Sequence, residues 1–400
     1  MADGLLARLL TAVRSTVRPP ELNTDEERSA SRLELFFDLA FVLVVAELAV
    51  ALRDDVTVHG ALVFTGLFTT VWWAWVSSTL YANRFDHDDV LFRLYKLGSM
   101  AAVVGLAASA TEATGDRFGL FVGCQLALRA VLLLQYHRAS RHIPSARPVA
   151  RLYMAGAATG ALLWAVSLLV PRPVGLALWA LAVLAEAVVP LVATRHSADV
   201  PLHVEHLPER FALFVILVLG ESVAGVAHGL YEASWASSAI PVAALCFVLA
   251  AALWWSYFDL AGARAKRLLN EVGGDRGHRS HDVYVFGQLP LTLALALIGA
   301  GIQLAVVESG QGEVPRGTRL LLAGGVAVYL VSMTVTDTGM SGRARRGWWW
   351  PLAAATVAVL DSALELPAVV IVGALAALLT AVVVVGTVQR ATGRLAVDQV

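Results

Sequence analysis

The chain has 400 residues, 58% of them hydrophobic and only 15% charged, with a formal net charge of −1. Soluble domains carry roughly 25% charged residues, and the uncharged blocks between Gly60 and Arg84 and between Leu320 and Thr336 leave no polar helix face for water. This excludes a soluble α/β protein, and the lack of a basic tract with interleaved aromatics leaves no nucleic-acid partner.

Residues 5–18 place Leu6, Leu9, Leu10, Val13 and Val17 on one helical face and Arg8, Arg14 and Arg18 largely on the other. That pattern predicts a helix lying on an anionic leaflet and ending at Pro19-Pro20. Arg8 and Arg14 interrupt any signal-peptide core, so no cleavage is expected. The polar stretch to Ser31 reads as a solvated linker. Twelve apolar runs follow, at 34–52, 58–80, 94–111, 118–136, 150–170, 174–193, 209–229, 236–258, 283–307, 319–337, 348–364 and 366–388. Runs of about 20 residues match a hydrocarbon core about 30 Å thick. The expected fold is an all-α polytopic membrane protein, its main partner the lipid bilayer. Tryptophans such as Trp348-Trp349-Trp350 read as interfacial anchors.

Between the runs and at their ends, 24 Lys and Arg fall on the N-terminal side and 5 on the other, with Arg129 well inside the fourth run. The positive-inside rule then predicts a plasma-membrane protein with both termini in the cytoplasm and an even number of spans.

An internal duplication is also predicted. Arg32–Leu52 aligns with the stretch from His206 to Leu230 when Phe37 is set on Phe211, which places Leu39 on Leu213, Phe41 on Val215, Val45 on Leu219 and Glu47 on Glu221. Trp72, Trp73 and Trp75 then answer to Trp254, Trp255 and Tyr257, and Asp89-Val90 to Asp282-Val283. Six spans per half with a common orientation are parallel repeats. The expected organisation is a cytoplasmic segment 1–32 with its interfacial helix, repeats at 33–200 and 201–390, and a cytoplasmic tail 391–400.

Ionisable groups inside spans cost about 2.5–3.5 kcal/mol on insertion scales, so those present face the protein interior and mark function. Asp38 and Glu47 lie nine positions apart, on opposite faces of one helix. Asp54 shares the face of Glu47, and the second copy repeats this as Glu221 and His228. A carboxylate with a titratable group two turns on is the pattern of a proton relay; equally, Glu47 and Glu221 tie their helices to neighbours. Arg129, taken as the one cation deep in a span, requires an acid, for which Glu186 and Glu47 are the candidates. Arg32, Glu34, His206, Glu209 and Arg210 form a candidate cytoplasmic gate. Gly225-x-x-x-Gly229 is a helix-packing pattern.

His203, Glu205 and His206 lack the spacing of a helical zinc site, and Cys124 and Cys246 lie apart in apolar runs. No metal, cofactor or disulfide is expected. Nucleophile-elbow, P-loop and dinucleotide motifs are absent, so no enzyme is indicated.

The segments R-L-E-L-F-F-D-L-A-F-V (32–42) and H-L-P-E-R-F-A-L-F-V-I-L-V-L-G-E-S (206–222), with W-W-S-Y-F-D (254–259), resemble the bacterial low-temperature-requirement A (LtrA) family of multi-pass membrane proteins. The resemblance implies a plasma-membrane location and supplies no substrate. Arg32-x-x-x-Phe36-Phe37-Asp38 also resembles the R-x-x-x-F-S-D opening of six-span-repeat lysosomal potassium channels, with Phe37 in place of serine and Ala212 at the second copy's aspartate position. That likeness implies a pore-lining first helix. The functional expectation is a secondary transporter of a small solute or ion, with possible proton coupling, its site between the repeats. The alternatives are a cation channel and a non-transporting membrane enzyme or stress-response scaffold.

Overall fold

The structure, a computed structural model, describes residues 18–22, 31–86, 89–196, 206–262, 265, 267–269, 274–342, 349–361 and 363–391. Its principal helices are α1 (Arg32–Asp54), α2 (Val58–Arg84), α3 (Val90–Ser109), α4 (Phe118–His142), α5 (Arg147–Ser167), α6 (Arg172–His196), α7 (His206–Glu232), α8 (Ala239–Trp255), α9 (Gly274–Val307), α10 (Arg316–Ser341), α11 (Trp349–Asp361) and α12 (Ala368–Ala391). α8 runs on into a π-helical turn at Ser256–Gly262, and α10 contains another at Leu320–Gly324. In hydrocarbon a chain must satisfy its backbone hydrogen bonds within itself, and the long apolar runs do so as helices.

Eleven of the helices in the described residues are long and apolar enough to cross a membrane. The exception is α11, expected to span at 348–364. It has 13 residues, about 20 Å at 1.5 Å per residue, short of a core about 30 Å thick. The chain past Asp361 leaves helical geometry at residues 363–367, just before Pro367, a residue that disfavours helix at the position preceding it.

Among the described residues three helix starts have identifiable caps, one of them Thr57, whose Oγ1 accepts from the Gly60 N–H at 3.1 Å at the start of α2. Ser31 and Glu34 form a reciprocal capping box: the Ser31 N–H donates to Glu34 Oε2 at 2.8 Å and the Glu34 N–H donates to Ser31 Oγ at 3.2 Å. Asp89 caps α3 by accepting from the Phe92 N–H at 3.0 Å. The expected interfacial helix falls at 5–17, outside the described residues. The linker after it is not wholly solvated: a two-residue strand β1 (Glu21–Leu22) pairs antiparallel with β2 (Phe85–Asp86), Glu21 opposite Asp86 and Leu22 opposite Phe85. Arg138 joins this end of the fold by donating to Asp89 Oδ1 at 3.1 Å, to Asp89 Oδ2 at 2.6 Å and to the Arg18 carbonyl.

The chain divides into two compact units, Met1–Glu47 with Thr69–Arg210, and Leu48–Phe68 with Phe211–Val400. In the first, α3 packs on α4, α4 on α5 and α5 on α6. Phe118, Phe121, Trp164 and Trp179 stack into one aromatic cluster with ring centroids 4.8–6.2 Å apart. Tyr81, Phe85, Tyr136 and Tyr153 form another. Trp72, Trp73, Trp75, Trp164 and Trp179 are all buried, which corrects the reading of the tryptophans as interfacial anchors: in this unit they fill the core. Trp348 lies outside the described residues.

In the second unit α9 is the axis. It packs on α8 and α10, α8 packs on α12, and α11 joins α10 to α12. Its close approach depends on glycine. A Cβ on Gly225 would sit 3.0 Å from the Gly299 carbonyl oxygen, and one on Gly229 would sit 2.8 Å from Val306 Cβ. Small residues that let backbones approach are the main source of helix association in lipid.

Candidate functional site

The first unit carries a buried polar cluster organised around one stretch of α2, Trp72 to Ser78. Trp73 and Trp75 are two positions apart and so point about 200° away from each other. Trp75 Nε1 donates to Asp38 Oδ1 on α1 at 2.9 Å, and Trp73 Nε1 donates to Glu186 Oε2 on α6 at 3.0 Å. Three residues beyond Trp75, the Ser78 hydroxyl accepts from Lys96 Nζ on α3 at 2.7 Å.

Around Asp38 the groups are fully withdrawn from solvent. Arg210 Nη2 donates to Asp38 Oδ1 at 2.8 Å, with side-chain exposures of 0% and 1%. The pair is incompletely satisfied: Asp38 Oδ2 and Arg210 Nε and Nη1 are buried without a hydrogen-bond partner among the described residues. Lys96 is also buried, with its ammonium 4.1 Å from the Phe37 ring centroid and 5.8 Å from that of Phe92.

Deeper along the helices, Arg129 and Glu186 form a two-point pair, Nε to Oε1 at 2.6 Å and Nη2 to Oε2 at 3.2 Å. Arg129 Nη1 donates back to the Gln125 carbonyl at 3.1 Å and to Gln125 Oε1 at 2.8 Å, and Gln125 Nε2 reaches Thr70 Oγ1 at 3.4 Å. The Trp164 ring lies 5.0 Å from the Arg129 guanidinium carbon. Gly160 on α5 is what admits Glu186: any Cβ there would collide with its carboxylate.

Between the Lys96 and Arg129 groups lies a crevice lined by Phe37, Ala74, Ser77, Ser78, Ser99, Leu128, Arg129, Leu132, Gln135 and Glu186. About 20 Å³ of it is open to the centre of a water-sized sphere, and a single water needs roughly 10–15 Å³ by that measure. Gln135 Nε2, on the crevice wall, has no partner among the described residues. The arrangement therefore offers a partly open crevice with hydrogen-bonding walls and room for about one small guest.

The residues singled out in the sequence distribute unevenly over this geometry. Asp38, Arg129, Glu186 and Arg210 all belong to the cluster, with Arg210, read as a gate, in fact holding Asp38. Glu34 closes the α1 capping box. Glu47, Asp54 and His228 are exposed. Among the described residues no direct contact links Glu47 to Asp54 or Glu221 to His228: seven residues on one face are still about 10 Å apart along the axis, beyond hydrogen-bond reach. Glu221 instead accepts from Arg53 Nη1 at 3.2 Å within the second unit, with side-chain exposures of 10% and 14%. Arg129 takes Glu186 as its partner, and the exposed Glu47 has no part in that pair. Arg32 and Glu209 are exposed; the His206 side chain, with His203 and Glu205, lies outside what the structure describes.

Lys96, Gln135 and the three serines were missed. Lys96 reads in sequence as one of the cations flanking a span, although it sits six residues into α3 and is 1% exposed. Arg129 is thus not alone as a cation within a helix: Lys96, Arg84 and Arg210 are buried in theirs as well. The available signal was the helix start at Asp89, which moves Lys96 inside. Among the described residues no group of three His, Cys, Asp or Glu side chains is placed to hold a metal ion.

Long apolar helices with ionisable groups turned inward define a polytopic helical membrane protein. The chain belongs to the LtrA family: the family model described as bacterial low temperature requirement A protein matches residues 29–384. It is similar to an uncharacterized protein of Rhizobium meliloti (strain 1021), 25% identical over 299 residues that make up 72% of each chain. No solved structure matches.

Proposed function

We propose that this protein is a transporter of a small solute or ion, and that its path runs through the polar cluster of the first unit. One observation carries the reading. Three carboxylate-containing or ammonium groups, at Asp38–Arg210, Lys96 and Arg129–Glu186, lead from the start of α1 to the middle of α4 and α6 around a space that holds one small guest. A purely structural tie needs one pair with all its hydrogen bonds made. This cluster keeps unfilled capacity at Asp38, Arg210 and Gln135, and intramembrane ionisable groups of this kind mark ion and solute pathways.

The same reading includes a plasma-membrane location with cytoplasmic termini, supported by the 24 to 5 bias of Lys and Arg; beside the eleven helices long enough to cross, it requires the α11 segment to complete a twelfth crossing. It includes two parallel six-helix repeats at 33–200 and 201–390, supported by the two ordered sets of sequence landmarks.

Reconstitution into proteoliposomes tests it. Dye-reported fluxes of protons, potassium and chloride are measured for the wild type, Asp38→Asn and Glu186→Gln. A wild-type flux that falls at least tenfold in either variant is expected. Saturation with solute identifies a carrier, and ohmic current a channel. Folded wild-type protein that passes none of these ions, or variants that match it, would sink the reading in favour of a non-transporting role.

A further inference from the structure

The charge on Lys96 is the least accounted for in the cluster. A buried ammonium is stable only when paired or well hydrogen-bonded. Asp38 is held by Arg210, and Glu186 by Arg129. Among the described residues Lys96 has no carboxylate oxygen within 4.0 Å. Its contacts are one neutral hydroxyl, Ser78, and the faces of Phe37 and Phe92.

The Ser78 oxygen accepts from Lys96, so its own hydrogen is available to the crevice it lines. A hydroxyl that accepts from a cation is a polarised donor. Gln135 Nε2 is a second buried donor on the same wall without a partner, and the Ser77 hydroxyl is a third group there. The carboxylate on the wall, Glu186, is neutralised by two bonds from Arg129 and a third from Trp73. The crevice thus presents donors, room for a single small species, and a nearby positive charge that no carboxylate touches, Glu34 and Asp38 acting on Lys96 only from beyond ion-pair distance.

We propose that this crevice binds one monovalent anion of halide size, held by the Ser77 and Ser78 hydroxyls and the Gln135 amide, with Lys96 supplying the charge through Ser78. Occupancy follows from this geometry alone. That the anion is also the transported solute rests on the transport reading above, and the two are separable by experiment.

The probe is chloride, with gluconate at equal sodium as the control, on the full-length protein in detergent. The thermal unfolding midpoint should rise saturably with chloride and not with gluconate, because a ligand bound only to the folded state stabilises by mass action. Half-saturation should move at least tenfold in Lys96→Met and several-fold in Ser78→Ala and Gln135→Leu, and stay put in Arg117→Ala, an exposed site. Ser78→Ala and Gln135→Leu keep every charge, so they decide the matter if Lys96→Met does not fold. An equal response to gluconate, no saturation, or folded crevice variants with the wild-type half-saturation overturns the proposal. Saturable, crevice-dependent chloride binding without flux supports it while removing the transport reading.

Discussion

Under the proposed duplication, the stretches aligned between the two units do different work. Trp72, Trp73 and Trp75 are buried in the first unit, where two of them hold carboxylates. Of their counterparts, Trp254 and Trp255 are 48% and 47% exposed, and only Tyr257 is buried, donating to Gln288 Oε1 at 3.3 Å. Asp38 aligns with Ala212, and the carboxylate of the second unit that holds an arginine, Glu221 with Arg53, is partly exposed. Both units use glycines for close packing, Gly160 against Glu186 in the first and Gly225 and Gly229 in the second. Among the described residues the fully buried Arg–carboxylate pairs, Asp38–Arg210 and Arg129–Glu186, lie in the first unit, while the second keeps bonds such as Ser256–Tyr329 and Gln303–Glu232, which points to the first for charge-dependent chemistry.

Removing single charges is the most severe way to break this comparison. Glu186→Ala leaves Arg129 buried without its partner, which costs about 3–5 kcal/mol, whereas Arg129→Met combined with Glu186→Leu should recover most of the loss. Glu221→Ala in the second unit breaks a partly exposed pair and should cost clearly less. Unfolding by denaturing detergent compares the three; equal losses at Glu186 and Glu221 would remove the distinction between the units.

Next in size are the glycines. Gly229→Val must displace Val306 and the Gln303 carbonyl and should cost about 1–3 kcal/mol. Gly98→Ala in the first unit meets nothing within 4 Å and should be neutral in the same measurement. A comparable effect is expected from Trp75→Phe, which deletes one hydrogen bond to a charged group. That loss is worth about 1.5–3 kcal/mol, and indole fluorescence together with unfolding should register it without loss of the helices by circular dichroism. The smallest is Ser31→Ala, which opens the capping box for about 1 kcal/mol and should shift the thermal midpoint slightly while leaving any flux unchanged.

How far the site was legible can be judged residue by residue. Asp38, Arg129, Glu186 and Arg210 stood out because a charge among apolar residues is conspicuous in any sequence. Lys96 did not, because it falls at the third position of the apolar run 94–111, where it reads as an end-flanking cation, and the helix start at Val90 sets it a further turn inward. Ser77, Ser78 and Gln135 are unremarkable by composition, and only the crevice singles them out. The relay residues make no direct contact, because sharing a face is not the same as being within reach.

By itself the sequence determined the membrane class, most of the apolar runs and some of the inward charges, Asp38, Arg129 and Glu186 among them, since these follow from hydrophobicity and helical period, both local properties of the chain. Which charge meets which was decided by tertiary structure alone. Asp38 and Arg210 are 172 positions apart and Arg129 and Glu186 are 57; no local pattern encodes such a meeting, because it depends on how separate helices pack.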